Sequence, residues 1–199
     1  LVGWWKLNGN AIDSGPSGYN GTIYGAVASS DRFGRVSGAM YFDGVNDYIQ
    51  TSAGVSNILP GANNNRTITA WVYRENTSTS LQHVVHYGDA TLNKAWGLVA
   101  QNHKLEAHEW SIYQYTIDIP TFSWSFIAIS MSSGNKTHWV NLTNSGTYNN
   151  TNTGTSYNLR IGTRISSTTE WWKGRICDVR VYNRSLSSGE IAQLYHYIG

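Results

Sequence analysis

Short runs in which apolar and polar residues alternate, or in which β-branched residues cluster, recur along almost the whole chain: 2–7, 20–27, 37–42, 46–51, 66–73, 81–87, 95–101, 104–109, 111–118, 124–131, 136–142, 157–163 and 174–182. Gly, Asn, Ser and Pro clusters separate them. A period of two places successive side chains on opposite faces of a strand, and regular turn signals between such strands predict an antiparallel sandwich or jelly roll. A helical period is visible only from Ser187 to Tyr197, which predicts one short C-terminal helical turn. Strands without interleaved helices exclude a parallel sheet built on crossovers. The tract 144–156, poor in apolar residues, reads as an exposed connection.

Length and composition narrow the class. A chain of 199 residues suffices for one well-buried sandwich, and the whole of 1–199 reads as a single domain. The first residue is Leu1, so the chain is read as a mature fragment or an excised domain. No apolar run is long enough to span a bilayer, so membrane insertion is not expected. With a net charge of +2 and no basic stripe, nucleic acid is not an expected partner. Cys177 is the only cysteine, which rules out an intramolecular disulfide and any site built from several thiolates, and it reads as a small buried hydrophobe. Aromatic residues make up 13% of the chain, too many for disorder and well suited to a sheet protein with hydrogen-bonding loops. Asn-x-Ser/Thr acceptors at Asn20, Asn65, Asn76, Asn135, Asn141, Asn149 and Asn183 are a mild excess.

The end of the chain carries the strongest motif. Trp171-Trp172-Lys173-Gly174 leads into an alternating strand, Arg175 to Tyr182, followed by Asn183-Arg184-Ser185-Leu186 and Glu190-Ile191. This order resembles the C-terminal signature of laminin G-like domains of the concanavalin A-like superfamily. The front of the chain is similar to the same family: Trp4 to Leu7, Asp13-Ser14-Gly15 with Gly18-Tyr19-Asn20-Gly21, the strand pair within Gly38 to Ile49, and Thr67 to Val72. The middle, roughly 75 to 160, matches weakly. The resemblance implies a concanavalin A-like jelly roll, in a secreted or cell-surface protein, as part of a larger multidomain chain. In this superfamily function usually resides in the variable middle.

Many laminin G-like domains are stabilised by calcium, and the resemblance implies a structural Ca2+ site at Asp13, Asn20 and Asp178, brought together if the first and last strands pair. The alternative reading is an Asx-turn at Asp13 and a backbone or Arg180 partner for Asp178. Asp43 to Tyr48 reads first as a hairpin. A pentraxin-like double-calcium site is not expected: Gly88 to Asn93 resembles its first half, but the stretch from Gly162 to Glu170 lacks the acidic cluster, leaving Asp89, Asn93 and Glu170.

Catalytic patterns are thin. Glu106 and Glu109 are three apart, which on a strand directs them to opposite faces rather than into one cleft as a glycosidase pair requires. The histidines form no zincin motif, and His86 and His108, on predicted strands, read as hydrogen-bonded sheet residues rather than ligands. No Gly-x-Ser-x-Gly elbow is present. Aromatic side chains are the remaining resource, because sugar C–H faces stack on Trp and Tyr while hydroxyls need polar partners. Trp110, Trp171, Trp96, His108 and Tyr113 are therefore the expected ligand-binding residues. The expected function is non-catalytic recognition of a glycan or surface glycoprotein, or adhesion. The alternatives are a structural or protein-interaction module of a surface assembly and, in a minority reading, a glycoside hydrolase.

Overall fold

A computed structural model describes residues 1–52, 57–75, 78–89, 91–109, 115–148, 152–154, 158–165 and 169–199. Among these, fifteen strands and one helix form two stacked antiparallel sheets. The first sheet runs β13 (Thr143–Tyr148), β12 (Asn135–Val140), β11 (Trp124–Ser132), β6 (Arg66–Arg74), β15 (Lys173–Tyr182), β4 (Ala39–Asp43), β3 (Val27–Ser29), with β1 (Gly3–Trp5) also on β15. The second runs β10 (Tyr115–Asp118), β9 (Lys104–Ala107), β8 (Ala95–Gln101), β7 (Gln82–Gly88), β14 (Arg160–Ile161), β5 (Tyr48–Thr51), β2 (Gly21–Tyr24). The all-β sandwich expected from the alternating runs is the observed architecture.

β15 organises the first sheet. Its first half pairs with β4, Lys173 opposite Asp43, and its second half pairs with β1, Val181 opposite Gly3, so two strands share one of its edges. The changeover falls where the register with β6 shifts, between Cys177 and Arg180, at Asp178 with φ +54°. First and last strands therefore pair, as the calcium reading required. Gly174 is needed at its place: its φ is +132°, and a Cβ there would lie 2.0 Å from the Tyr73 carbonyl oxygen.

The core lies between the sheets. Ile49, Ile161, Val85, Leu98 and Ala107 are register neighbours across the second sheet and are fully buried, facing Phe42, Ile68, Val72, Ile127 and Ile176 from the first. The outer face of the first sheet is covered in part by α1 (Ser188–Tyr195), whose Tyr195 ring stacks 5.4 Å from Trp71. Ser187 caps this helix and Glu190 closes a capping box, so the predicted C-terminal turn forms for the reason its sequence suggests.

The polar tract after Val140 departs from expectation. Residues 143–148 form β13, paired with β12 along its whole length, so the start of the tract is a strand and not a connection, although 144–146 are exposed as expected; 149–151 and 155–156 lie outside the described residues. An edge strand needs only backbone hydrogen bonds on one side and tolerates a solvated face, so low apolar content does not exclude it.

Candidate functional site

The outer face of the second sheet carries the chemistry. Antiparallel register partners share a face, so Thr22, Gln50, Arg160, His86 and Gly97 form one row pointing away from the core. Tyr24 and Tyr48, two residues further along β2 and β5, belong to the same face. Their rings stack with centroids 4.4 Å apart and planes 11° apart. The Trp171 ring lies 6.1 Å from Tyr48, and the Arg160 guanidinium lies 4.7 Å from the Tyr48 ring. Arg160 donates to Gln50 Oε1 at 3.0 Å, so its plane is held over the ring. Tyr24 is 43% exposed, while Tyr48, Gln50, Arg160 and Trp171 are half-buried, which makes a partly open platform of aromatic, amide and cationic groups.

Next to the platform the same face closes over three histidines. In a regular strand His83 and His86 would point to opposite sides, but the register shifts between His83 and Val85. His83 then opposes Val99 and His86 opposes Gly97, both on the outer face. The His108 N–H bonds the Gly97 carbonyl at 3.1 Å and continues the ladder one step past β9. The three imidazoles meet, with centroids 4.8 to 5.6 Å apart. Gly97 leaves the room: a Cβ there would sit 2.4 Å from the Val85 oxygen and 3.5 Å from the His86 ring.

Burial keeps these rings neutral. It pushes His83 and His86 well below the usual histidine range, with neighbouring imidazoles adding to the effect, and it lowers His108 to about 4. His83 Nε2 meets Glu170 Oε2 at 3.0 Å, and Glu170 is gripped by Arg164. His83 Nδ1 and both ring nitrogens of His86 are buried with no hydrogen-bond partner among the described residues. The expectation of a hydrogen-bonded sheet histidine is not met at His86 among the described residues. Glu106, opposite Val99, is also on this face; burial, and after it the Glu109 charge, pushes its carboxyl up to about 8.

The expected ligand residues separate. Trp171 joins the platform. His108 is buried in the histidine cluster. Trp96 is fully buried inside the sandwich with the Arg66 guanidinium 4.8 Å from its ring, and a ring without exposed surface offers no face to a sugar. Trp110 and Tyr113 lie outside the described residues. Tyr24, Tyr48, Arg160, Gln50 and His83 are the members that sequence reasoning did not single out, and His86 was read there as a sheet residue.

Asp13, Asn20 and Asp178 are linked through Trp4, but on N–H donors. Asp13 Oδ1 accepts from the Trp4 and Gly15 amides at 2.9 and 2.8 Å, and Oδ2 accepts from the Tyr19 amide at 3.0 Å. Asn20 Oδ1 accepts from the Asp13 amide, while Asp178 accepts from the Trp4 indole at 2.6 Å and pairs with Arg180. Oxygens turned onto N–H groups suit a structural loop, and this donor set does not fit a calcium cradle. Cys177 is buried beside them, its thiol pushed up to about 12 by burial. That is an inert thiol.

A family model for the concanavalin A-like lectin/glucanases superfamily, of the laminin G type, matches residues 8–192. The chain belongs to that superfamily. Among curated proteins none matches it. Among solved structures it is similar to domain 4 of AbnA, a GH43 extracellular arabinanase from Geobacillus stearothermophilus determined with arabinotriose, at 20% identity and a TM-score of 0.76, covering 98% of each chain. It is also similar to a Trypanosoma rangeli sialidase mutant displaying trans-sialidase activity, at 16% identity and a TM-score of 0.71 over 97% of this chain and 32% of that one. The botulinum neurotoxin serotype D binding domain matches at 14% identity and a TM-score of 0.69, over 98% of this chain and 50% of that one. This concanavalin A-like chain thus spans a third of the sialidase and half of the toxin domain, and at such identities the likeness is one of fold.

Proposed function

We propose that this domain is a non-catalytic carbohydrate-recognition module of an extracellular or cell-surface protein. The observation that carries the reading is the partly exposed set Tyr24, Tyr48 and Trp171 with Arg160 and Gln50, on one face of the second sheet. The far ring face of Tyr24 and the indole of Trp171 supply stacking surface, while Gln50 and Arg160 supply the polar partners that sugar hydroxyls require. The arabinotriose held by the arabinanase domain of the same fold supports the ligand class, and the domain organisation of that enzyme supports a place within a larger protein.

A non-catalytic role agrees with the carboxylates. Glu106 faces outward and Glu109 is held by Lys136 at 2.6 Å, so the two do not flank a shared cleft. The test is a glycan array probed with the purified domain and with Trp171→Ala. Specific binding by the parent domain that the variant loses supports the reading. A blank array with the folded parent domain overturns it, as does hydrolysis of a bound glycan.

A further inference from the structure

We propose that His83, His86 and His108 form a site for a borderline divalent transition-metal ion, zinc above all, held by three imidazoles with one coordination position left open. One nitrogen from each ring lies within 4.8 Å of the others, and all three side chains are buried. Three imidazoles packed together are otherwise a cost to the fold: His83 Nδ1 and both His86 nitrogens have given up water without gaining a partner among the described residues, at about 1–3 kcal/mol each. An ion at their centre would take one lone pair from each ring.

The donor chemistry selects the metal. Neutral nitrogen donors suit Zn2+, Cu2+, Ni2+ and Co2+ and are poor ligands for the hard ions Ca2+ and Mg2+. Tetrahedral zinc at about 2.0–2.1 Å from each nitrogen would bring the nitrogens to about 3.4 Å from one another. On binding, the nitrogens would close from within 4.8 Å to that spacing.

The surroundings have the features of a second shell. Glu170 accepts from His83 Nε2, which fixes the tautomer that leaves the lone pair on Nδ1. Arg164 in turn grips Glu170. The Glu170 side chain is 21% exposed and so connects the cluster to solvent. This site is separate in its chemistry from the aromatic platform, and its test does not depend on any glycan.

The experiment is calorimetric titration of the chelator-stripped domain with ZnCl2, paired with the visible spectrum of the Co2+ form. The expected result is one ion per chain, an intense tetrahedral Co2+ band, and a rise in Tm with zinc. His86→Ala should weaken zinc binding by more than about 100-fold, and Glu170→Gln by about 10–100-fold, as for an outer-shell partner. His196→Ala should leave it unchanged. Circular dichroism and Tm in chelator establish that each variant is folded; Glu170→Gln and the parent Co2+ spectrum keep the test decisive if His86→Ala does not fold. Absence of stoichiometric uptake, as a cluster filled by water would give, overturns the proposal. So does binding that survives in folded His86→Ala, or that is lost in His196→Ala.

Discussion

Lys136 Nζ lies 2.6 Å from Glu109 Oε1, and neither side chain has exposed surface. Lys136 projects inward from β12 at an end of the sandwich that also holds Arg66, whose guanidinium is spread over backbone carbonyls and the Tyr87 hydroxyl. Burial drives the Lys136 ammonium down, and the Glu109 carboxylate opposes that. Removing one partner strands a charge, so Lys136→Met is expected to cost about 3–5 kcal/mol. The double variant Lys136→Met, Glu109→Gln should recover much of that loss. Denaturant melts of the four proteins of this cycle measure it, and additive losses would show that the pair is not coupled.

At the aromatic platform, loss of stacking should separate from loss of fold. Tyr24→Ala and Trp171→Ala each remove a partly exposed ring, so Tm should move little while glycan affinity falls by about tenfold or more, equivalent to about 1.4 kcal/mol. Trp96→Ala should do the reverse, because its ring is part of the core: a loss of about 3–5 kcal/mol of stability. Parallel thermal melts and binding titrations of the three variants check this contrast.

His138 predicts the acid limb of the stability curve. It is buried on the inner side of β12, both ring nitrogens lack hydrogen-bond partners among the described residues, and burial, reinforced by Lys136, lowers it to about 3. The unfolded chain takes up a proton near the ordinary value of 6.5, and the folded chain does not until about 3. The contribution is therefore fully present above pH 6.5 and is lost as pH falls through that window, by about 1.4 kcal/mol per pH unit. Replacing the ring by a non-titrating one, His138→Phe, should flatten the difference in stability between pH 6 and pH 4 by about that slope. Urea melts at the two pH values would refute the assignment if parent and variant lost stability in parallel.

How far these features could be read beforehand follows from what a strand's period encodes. Alternation tells which residues share a face, so β4, β6, β11 and β15 were legible, as was the opposite placement of Glu106 and Glu109, and a change of period marked the helical turn that begins at Ser187. It does not tell which strands are neighbours. Tyr24, Tyr48, Arg160 and Trp171 come from segments far apart in the chain and meet only through the β2–β5–β14 order. The histidine cluster was hidden more deeply, because alternation assigns His83 and His86 to opposite faces and only the bulge at Val84 reverses that. Trp96 shows the converse limit: a Trp looks the same in sequence whether its strand face turns to the core or to solvent.

The loop around Asp13 yields a prediction that distinguishes a hydrogen-bonded turn from an ion site. Three backbone amides, those of Trp4, Gly15 and Tyr19, rely on one carboxylate. Asp13→Ala leaves all three without that acceptor in a partly buried setting, at an expected cost of about 2–4 kcal/mol. Asp13→Asn keeps one acceptor oxygen, which can still serve Trp4 and Gly15 while the new amide group faces Tyr19, so its loss should be smaller but real. Because the oxygens are engaged by N–H donors, millimolar calcium should leave the Tm of the parent domain and of both variants unshifted. A calcium-dependent rise in the parent that vanishes in Asp13→Asn would instead show that the loop rearranges around a cation, and that the hydrogen bonds seen here belong to the ion-free form.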